Sequence, residues 1–305
     1  MSVHSAAPIS PDWPALSATV AGSVVAPDHA RYEEARKVWN RMIDRRPAAI
    51  VFPTSDADVA AAIGFARQQG LEVAVRGGGH NAAGLATIDG GLVIDLAEMN
   101  QVDVDPERRI ARVGGGANWG EFDAATQAHG LAATGGAIST TGVAGLTLGG
   151  GLGYLMRSQG LACDNLIEAR VVLADGSVVE TSETERPELL WGLRGGGGNF
   201  GVVTEFVFRL HPLAAVYAGM LLYPRDRAAE ALRTYREVTA SAPDELTTFI
   251  ALLRTPDGAP VVAFVPTYAG DAAAGESAVA PYRALGEPIA DMVGPMPYVA
   301  LQQML

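Results

Sequence analysis

Arg76-Gly77-Gly78-Gly79-His80-Asn81 is the stretch on which the reading of this chain turns. It follows a strand-like run, residues 72–75, and sets three glycines and an arginine ahead of a histidine. Glycine is selected where the backbone needs positive φ, or where another group approaches the main chain closely. Consecutive main-chain N–H groups in such a loop form a concavity that binds anions. One glycine cluster alone is most simply a tight turn. Here a second tract occupies residues 135–153 and a third residues 195–198. Each joins predicted strands or hairpins, and that recurrence favours a ligand over three unrelated turns.

Working outward, the spacing predicts a short amphipathic helix over residues 32–44, with Trp39 and Met42 on its apolar side. Residues 49–52 read as a strand. Ser55 followed by Asp58 is a capping-box pattern. The helix it opens carries Val59, Ile63 and Ala66 at helical spacing and stops at Gly70. Residues 92–96, 101–105 and 110–113 are expected strands, and residues 119–129 a second helix. Asp175-Gly176 between residues 170–173 and 177–181 is a hairpin signal. Residues 202–210 alternate as a strand. Past His211-Pro212 the glycine clusters cease. Helices are expected at 226–239 and 277–285, and a hairpin turns at Pro256-Asp257-Gly258.

Gly196, Gly198 and Gly201 satisfy G-x-G-x-x-G, but the dinucleotide fingerprint requires that turn to open a helix within a βαβ unit. Here a strand-like run follows, so a Rossmann reading is set aside. Gly151-Leu152-Gly153 has no serine and makes no nucleophile elbow. No set of histidines and cysteine has metal-ligand spacing, so no metal is expected.

The 305 residues are 49% apolar and 18% charged with a net charge of -12, a composition able to bury a sizeable core. No basic stripe points to nucleic acid. No apolar run reaches the roughly 18 residues of a spanning helix. Residues 1–13 lack a basic segment followed by an apolar one, so no leader is expected and the cytoplasm is the expected compartment. Cys163 is the only cysteine. It forms no internal disulfide and is structural, reactive or ligating. The glycine tract before it, rich in N–H groups, is expected to lower its pKa. His80, on a loop able to cradle a diphosphate, is well placed to touch a cofactor. His129 reads as a helix-end residue, while His4, His29 and His211 suggest nothing.

These stretches together resemble the FAD-linked oxidases of the berberine bridge enzyme-like group, within the p-cresol methylhydroxylase/vanillyl-alcohol oxidase superfamily. The resemblance rests on Val75 through Asn81, Gly135-Gly136, Gly142 through Gly153, Gly160-Leu161-Ala162-Cys163-Asp164-Asn165, and Trp191 through Thr204. They stand in the family's order and cover roughly residues 30–212. The resemblance implies an α+β fold: a two-lobed PCMH-type FAD-binding domain at 46–212, after an N-terminal helical segment at 1–45. Part of an antiparallel-sheet substrate domain follows at 213–305.

It further implies FAD held bicovalently, with His80 bonded to the flavin 8α carbon and Cys163 to ring carbon C6. The loop Arg76, Gly77, Gly78, Gly79, His80, Asn81 and Gly84 would bind the diphosphate. Gly136, Thr140, Thr141, Gly142, Val143, Gly145, Gly149, Gly150 and Gly153 would line diphosphate and flavin, with Val143 controlling oxygen access. Gly198, Asn199, Gly201 and Val203 would close over the cofactor, Val203 near the adenine.

The implied reaction is oxidation of a hydroxyl-bearing carbon of a sugar or secondary metabolite, with O2 as acceptor and hydrogen peroxide as product. A dehydrogenase using another acceptor, and an FAD-binding protein without turnover, are the alternatives. Family members run well past 400 residues and usually carry the catalytic base late in the chain. No residue of 213–305 matches that base, so it is expected beyond residue 305. The chain then reads as a fragment, a truncated product or one completed by a partner chain.

Overall fold

The structure is a computed structural model and describes residues 11–304. Residues 1–10 of the leader reading, with His4, and the terminal Leu305 lie outside the described residues.

Residues 13–95 build the first lobe. Its elements are α1 (Trp13–Ser17), β1 (Ser23–Val25), α2 (Tyr32–Ala35), β2 (Ala49–Phe52), α3 (Asp56–Gln69), β3 (Val73–Arg76) and β4 (Leu92–Asp95). The sheet runs β1-β2-β4-β3, with β4 parallel to both neighbours and β1 antiparallel to β2. Helix α3 buries Val59, Ala62 and Ala66 against Val51, Leu92 and Ile94. Its caps follow the sequence signals. The Ser55 hydroxyl accepts from Asp58 N at 3.2 Å, and Gly70 closes the helix at φ 65°. The reciprocal half of the capping box is missing, because the Asp58 carboxylate instead accepts from Ala21 N, Gly22 N and Thr54. It thereby ties α3 to the chain entering β1.

The helix expected over 32–44 is reduced to its first turn, α2. Beyond Ala35 the carbonyls of Ala35 and Lys37 accept from the Arg76 guanidinium, so they are not free to continue the helical ladder. Trp39 and Met42 are exposed rather than packed.

The second lobe holds β5 (Val102–Asp105), β6 (Ile110–Gly114), α4 (Trp119–Gln127), β7 (Leu131–Ala132), α5 (Val143–Leu148), α6 (Met156–Gln159), β8 (Leu166–Val172), β9 (Val178–Ser182), α7 (Pro187–Leu193), β10 (Val202–Arg209) and β11 (His211–Pro212). An antiparallel sheet β5-β6-β10-β8-β9 forms its floor. Trp119, Phe122 and Phe208 meet edge-to-face beneath α4. The Asp175-Gly176 hairpin forms, with Gly176 at φ 88°. The run after Gly201 is a strand, β10, with antiparallel partners on both sides, which removes the dinucleotide-fold reading.

A third sheet follows, built from β12 (Val216–Ala218), β13 (Leu221–Pro224), β14 (Leu246–Arg254), β15 (Pro260–Tyr268), β16 (Ala290–Asp291) and β17 (Gly294–Met296). All its pairings are antiparallel, and β15 is shared between β14 and the strands β12 and β13. Helices α8 (Ala228–Ser241) and α9 (Ala272–Arg283) pack on this sheet through Ala231, Val279 and Tyr282. The last helix, α10 (Tyr298–Gln302), returns to the second lobe and lies against α4. The chain is thus α+β, as its sequence implied. Among the described residues no helix is long and apolar enough to cross a membrane.

Candidate functional site

Loop 76–81 leaves β3 and crosses the segment that precedes α5. The crossing explains two glycines at once. A β-carbon on Gly78 would collide with Gly142 N, and one on Gly142 would collide with Gly78 N. These two glycines allow two backbones to touch, a packing demand that holds whether or not a ligand lies beside them. Gly153 is likewise fixed by the Gly135 carbonyl, and Gly84 (φ 74°) by the Ile43 side chain. Gly136 makes ordinary contact with Leu146 and Trp119. Gly150 and Gly201 take positive φ, 106° and 143°, which an L side chain rarely adopts.

Other glycines are open. Gly145 and Gly149 share one face of α5, both exposed, and no protein atom lies within 4 Å of where a β-carbon of Gly145 would stand. Glycine in a helix interior costs about 1 kcal/mol relative to alanine, so an open helical glycine calls for a reason other than packing. Gly198 is open in the same way, and its loop is bound to α5 by Gly197 N donating to the Leu148 carbonyl at 2.8 Å. Asn199 steadies that loop through Nδ2 to the Gly196 carbonyl. All three glycine clusters therefore meet around α5. Among the described residues, the N–H groups of residues 77–81 and 198–200 donate to no protein acceptor. Such rows of N–H groups suit a phosphate-bearing ligand.

The Arg76 side chain is not open to this surface. It is 4% exposed, paired with Asp95 at 2.8 Å and bonded to two carbonyls of the preceding segment. Its side chain anchors the loop to β4 instead. Asn81 accepts from Ala83 N and Leu85 N and so shapes the exit of the loop. The side chains of Val143 and Val203 are buried in the core of the second lobe, so neither side chain reaches the loop surface.

His80 stands half-buried before the N-terminal end of α5. Its Nε2 meets the Thr140 hydroxyl at 3.0 Å and its Nδ1 the Thr141 hydroxyl at 3.3 Å. Burial pushes its pKa down, so the imidazole is neutral at pH 7. Cys163 lies at the other end of α5, on the turn 162–165, where its N–H donates to the Gly150 carbonyl at 2.9 Å. The expectation of a lowered thiol pKa is overturned. Burial and the adjacent Asp164 carboxylate push the Cys163 thiol up, outweighing the lowering effect of its own N–H. The neighbouring Asp164 and Asn165 have structural work: Asp164 accepts from Leu161 N, while Asn165 bonds the carbonyls of Gln159 and Leu161. His211, which suggested nothing in the sequence, bonds Asn165 Oδ1 at 2.7 Å.

Sequence reasoning missed two features. Trp39 stacks on His80, with ring centroids 5.2 Å apart and planes at 22°. Beneath α10, the buried Asp123 accepts from Gln302 Nε2 at 2.8 Å, and burial raises its pKa to about 7. The first was hidden by the mistaken helix over 32–44. The second joins residues 179 positions apart, for which a local pattern has no signal.

Comparison with known proteins agrees with this geometry. Residues 47–182 match the family model described as an FAD binding domain. An FAD-linked oxidoreductase of Dictyostelium discoideum is 36% identical over 272 residues, which are 88% of this chain and 59% of that protein. The crystal structure of 6-hydroxy-D-nicotine oxidase from Arthrobacter nicotinovorans superposes with a TM-score of 0.88 at 34% identity, covering 93% of this chain and 63% of that one. BBE-like 1 of Physcomitrella patens gives 0.86 at 28%, covering 95% and 63%. The chain thus spans about 60% of the length of these relatives.

Proposed function

Because the chain belongs to the FAD-linked oxidoreductases of the berberine bridge enzyme-like group, we propose that it holds FAD around α5 and serves the oxidation of a hydroxyl-bearing carbon. The carrying observation is the convergence of the three glycine clusters on one short helix. The open face at Gly145 and Gly149 and the free N–H groups of residues 77–81 and 198–200 fit a flat, diphosphate-bearing cofactor. His80 and Cys163 would hold it covalently from near the two ends of α5, His80 through the 8α carbon and Cys163 through C6. Six helical residues span about 9 Å, a length that one flavin can cover.

When bound, the flavin supplies the two-electron acceptor for hydride removal and delivers the electrons to O2 as hydrogen peroxide. The protein's own residues do the rest. The loop N–H groups neutralise the diphosphate, Thr140 and Thr141 orient His80, and the Arg76–Asp95 pair fixes the loop to the sheet. The proposed substrate is a sugar, oligosaccharide or secondary-metabolite alcohol, and the proposed compartment is the cytoplasm. Purified protein should show flavin absorption bands at about one FAD per chain, a stoichiometry set by the single site proposed. Folded, colourless protein that takes up no added FAD contradicts the proposal.

A further inference from the structure

We propose that Trp39 is a positioning residue for His80, one wall of a three-sided clamp whose other sides are the hydroxyls of Thr140 and Thr141. This rests on the covalent reading of His80 above. The segment carrying Trp39 is stapled to the glycine loop at several points. Trp39 N donates to the Gly79 carbonyl at 3.1 Å, Asn40 Nδ2 to the Ala82 carbonyl at 2.8 Å, and Arg76 to the carbonyls of Ala35 and Lys37. That stapling sets the indole over the imidazole at 5.2 Å and 22°.

An imidazole on a glycine-rich loop otherwise keeps its χ freedom. The indole removes rotation out of the plane, and the two hydroxyls, each free to donate or accept, remove rotation within it. Trp39 is also 61% exposed. A large aromatic left that open and stacked on a single polar ring is poorly explained by core burial.

The bond being positioned joins a ring nitrogen of His80 to the flavin 8α carbon. The 8α methyl loses one C–H proton and the imidazole its N–H proton. The two electrons of the broken C–H bond enter the flavin ring, and the O2 of the proposed oxidase reaction removes them as hydrogen peroxide. The hydroxyl on the attacking nitrogen must let go as that nitrogen's lone pair turns to the carbon, and the indole keeps the ring in its plane while the other hydroxyl holds.

The test is the rate at which flavin becomes acid-precipitable with the polypeptide. The flavin-free 305-residue chain, from a riboflavin-starved host, is mixed with FAD in air. All variants carry Cys163→Ala, so that only the His80 bond is read. Trp39→Ala should slow the rate about tenfold, and Trp39→Phe, which keeps a stacking ring, should stay within about threefold of the parent. In a His80→Ala background, Trp39→Ala should leave the FAD dissociation constant unchanged, since a residue acting through His80 has nothing left to act on.

Equal rates for the parent and Trp39→Ala overturn the clamp and leave the tether standing. So does a Trp39→Ala effect on FAD affinity that persists without His80, which would assign the indole to the cofactor itself. If the parent binds FAD yet releases all of it in acid, the His80 tether and the clamp fall together.

Discussion

At one end of α5 an imidazole stands half open, neutral and held on three sides; at the other a thiol lies 5% exposed beside a carboxylate. The histidine end presents its nucleophile in the reactive protonation state. The cysteine end does not, because burial and Asp164 both disfavour the thiolate. The contrast teaches that a glycine-rich surrounding does not by itself activate a thiol. Burial and the Asp164 carboxylate outweigh the lowering effect of Cys163's own N–H. It also orders events: in the proposed site, the His80 bond forms first and the Cys163 bond more slowly.

The largest effect is expected from exchanging the roles of two glycines. Gly78→Ala places a methyl group on the Gly142 backbone, which neither loop can yield, and should destabilise by more than about 4 kcal/mol or prevent folding. Gly145→Ala meets no protein atom and should raise stability by about 1 kcal/mol through helix propensity while weakening FAD binding. Thermal melts with and without FAD separate the two. If Gly145→Ala binds FAD as tightly as the parent, the open face of α5 is not where the cofactor lies.

A second, smaller effect concerns a buried acid outside the α5 pair. Asp123 has its pKa raised from 3.8 to about 7 by burial, with Gln302 opposing. Since the folded value exceeds the unfolded one, the stability of the neutral carboxyl is fully present below about pH 4. It is lost as pH rises through about 7, a difference of a few kcal/mol. Asp123→Asn cannot ionise, so its melting temperature relative to wild type should climb between pH 4 and 7 and then level off. A pH-independent difference would mean that Asp123 ionises in the folded state as readily as in the unfolded chain.

The smallest effect sharpens the comparison directly. Asp164→Asn removes the negative charge beside Cys163 while keeping an oxygen for Leu161 N. The thiol pKa should fall only partly, because burial is the larger cause. Alkylation of Cys163 by iodoacetamide at pH 8 should therefore speed up several-fold. No change would mean that burial alone governs the thiol.

Local features of this chain were legible from sequence because their causes are local. Ser55 and Gly70 bound a helix by capping chemistry, Asp175-Gly176 turns a hairpin by its backbone preference, and the strand expected after Gly201 forms, though buried on both faces rather than alternating. Features set by distant contacts were not. The helix over 32–44 ended early because Arg76, some forty residues on, claims its carbonyls. That Gly78 and Gly142 also let two backbones cross was not legible, because nothing in either loop reveals the other. The candidate nucleophiles were visible, but their charge states depended on burial and, for Cys163, on Asp164, which only the fold supplies.

The central claim is that one FAD is bracketed by His80 and Cys163 across α5, and its most direct test is a flavopeptide map. Protein loaded with FAD in air is digested, and the flavin-fluorescent products are sequenced by mass spectrometry. The account predicts one flavin joined to both the peptide containing His80 and the peptide containing Cys163, with the His80-only species appearing first in a time course. Flavin recovered free, or attached through His80 alone after prolonged incubation, would contradict it.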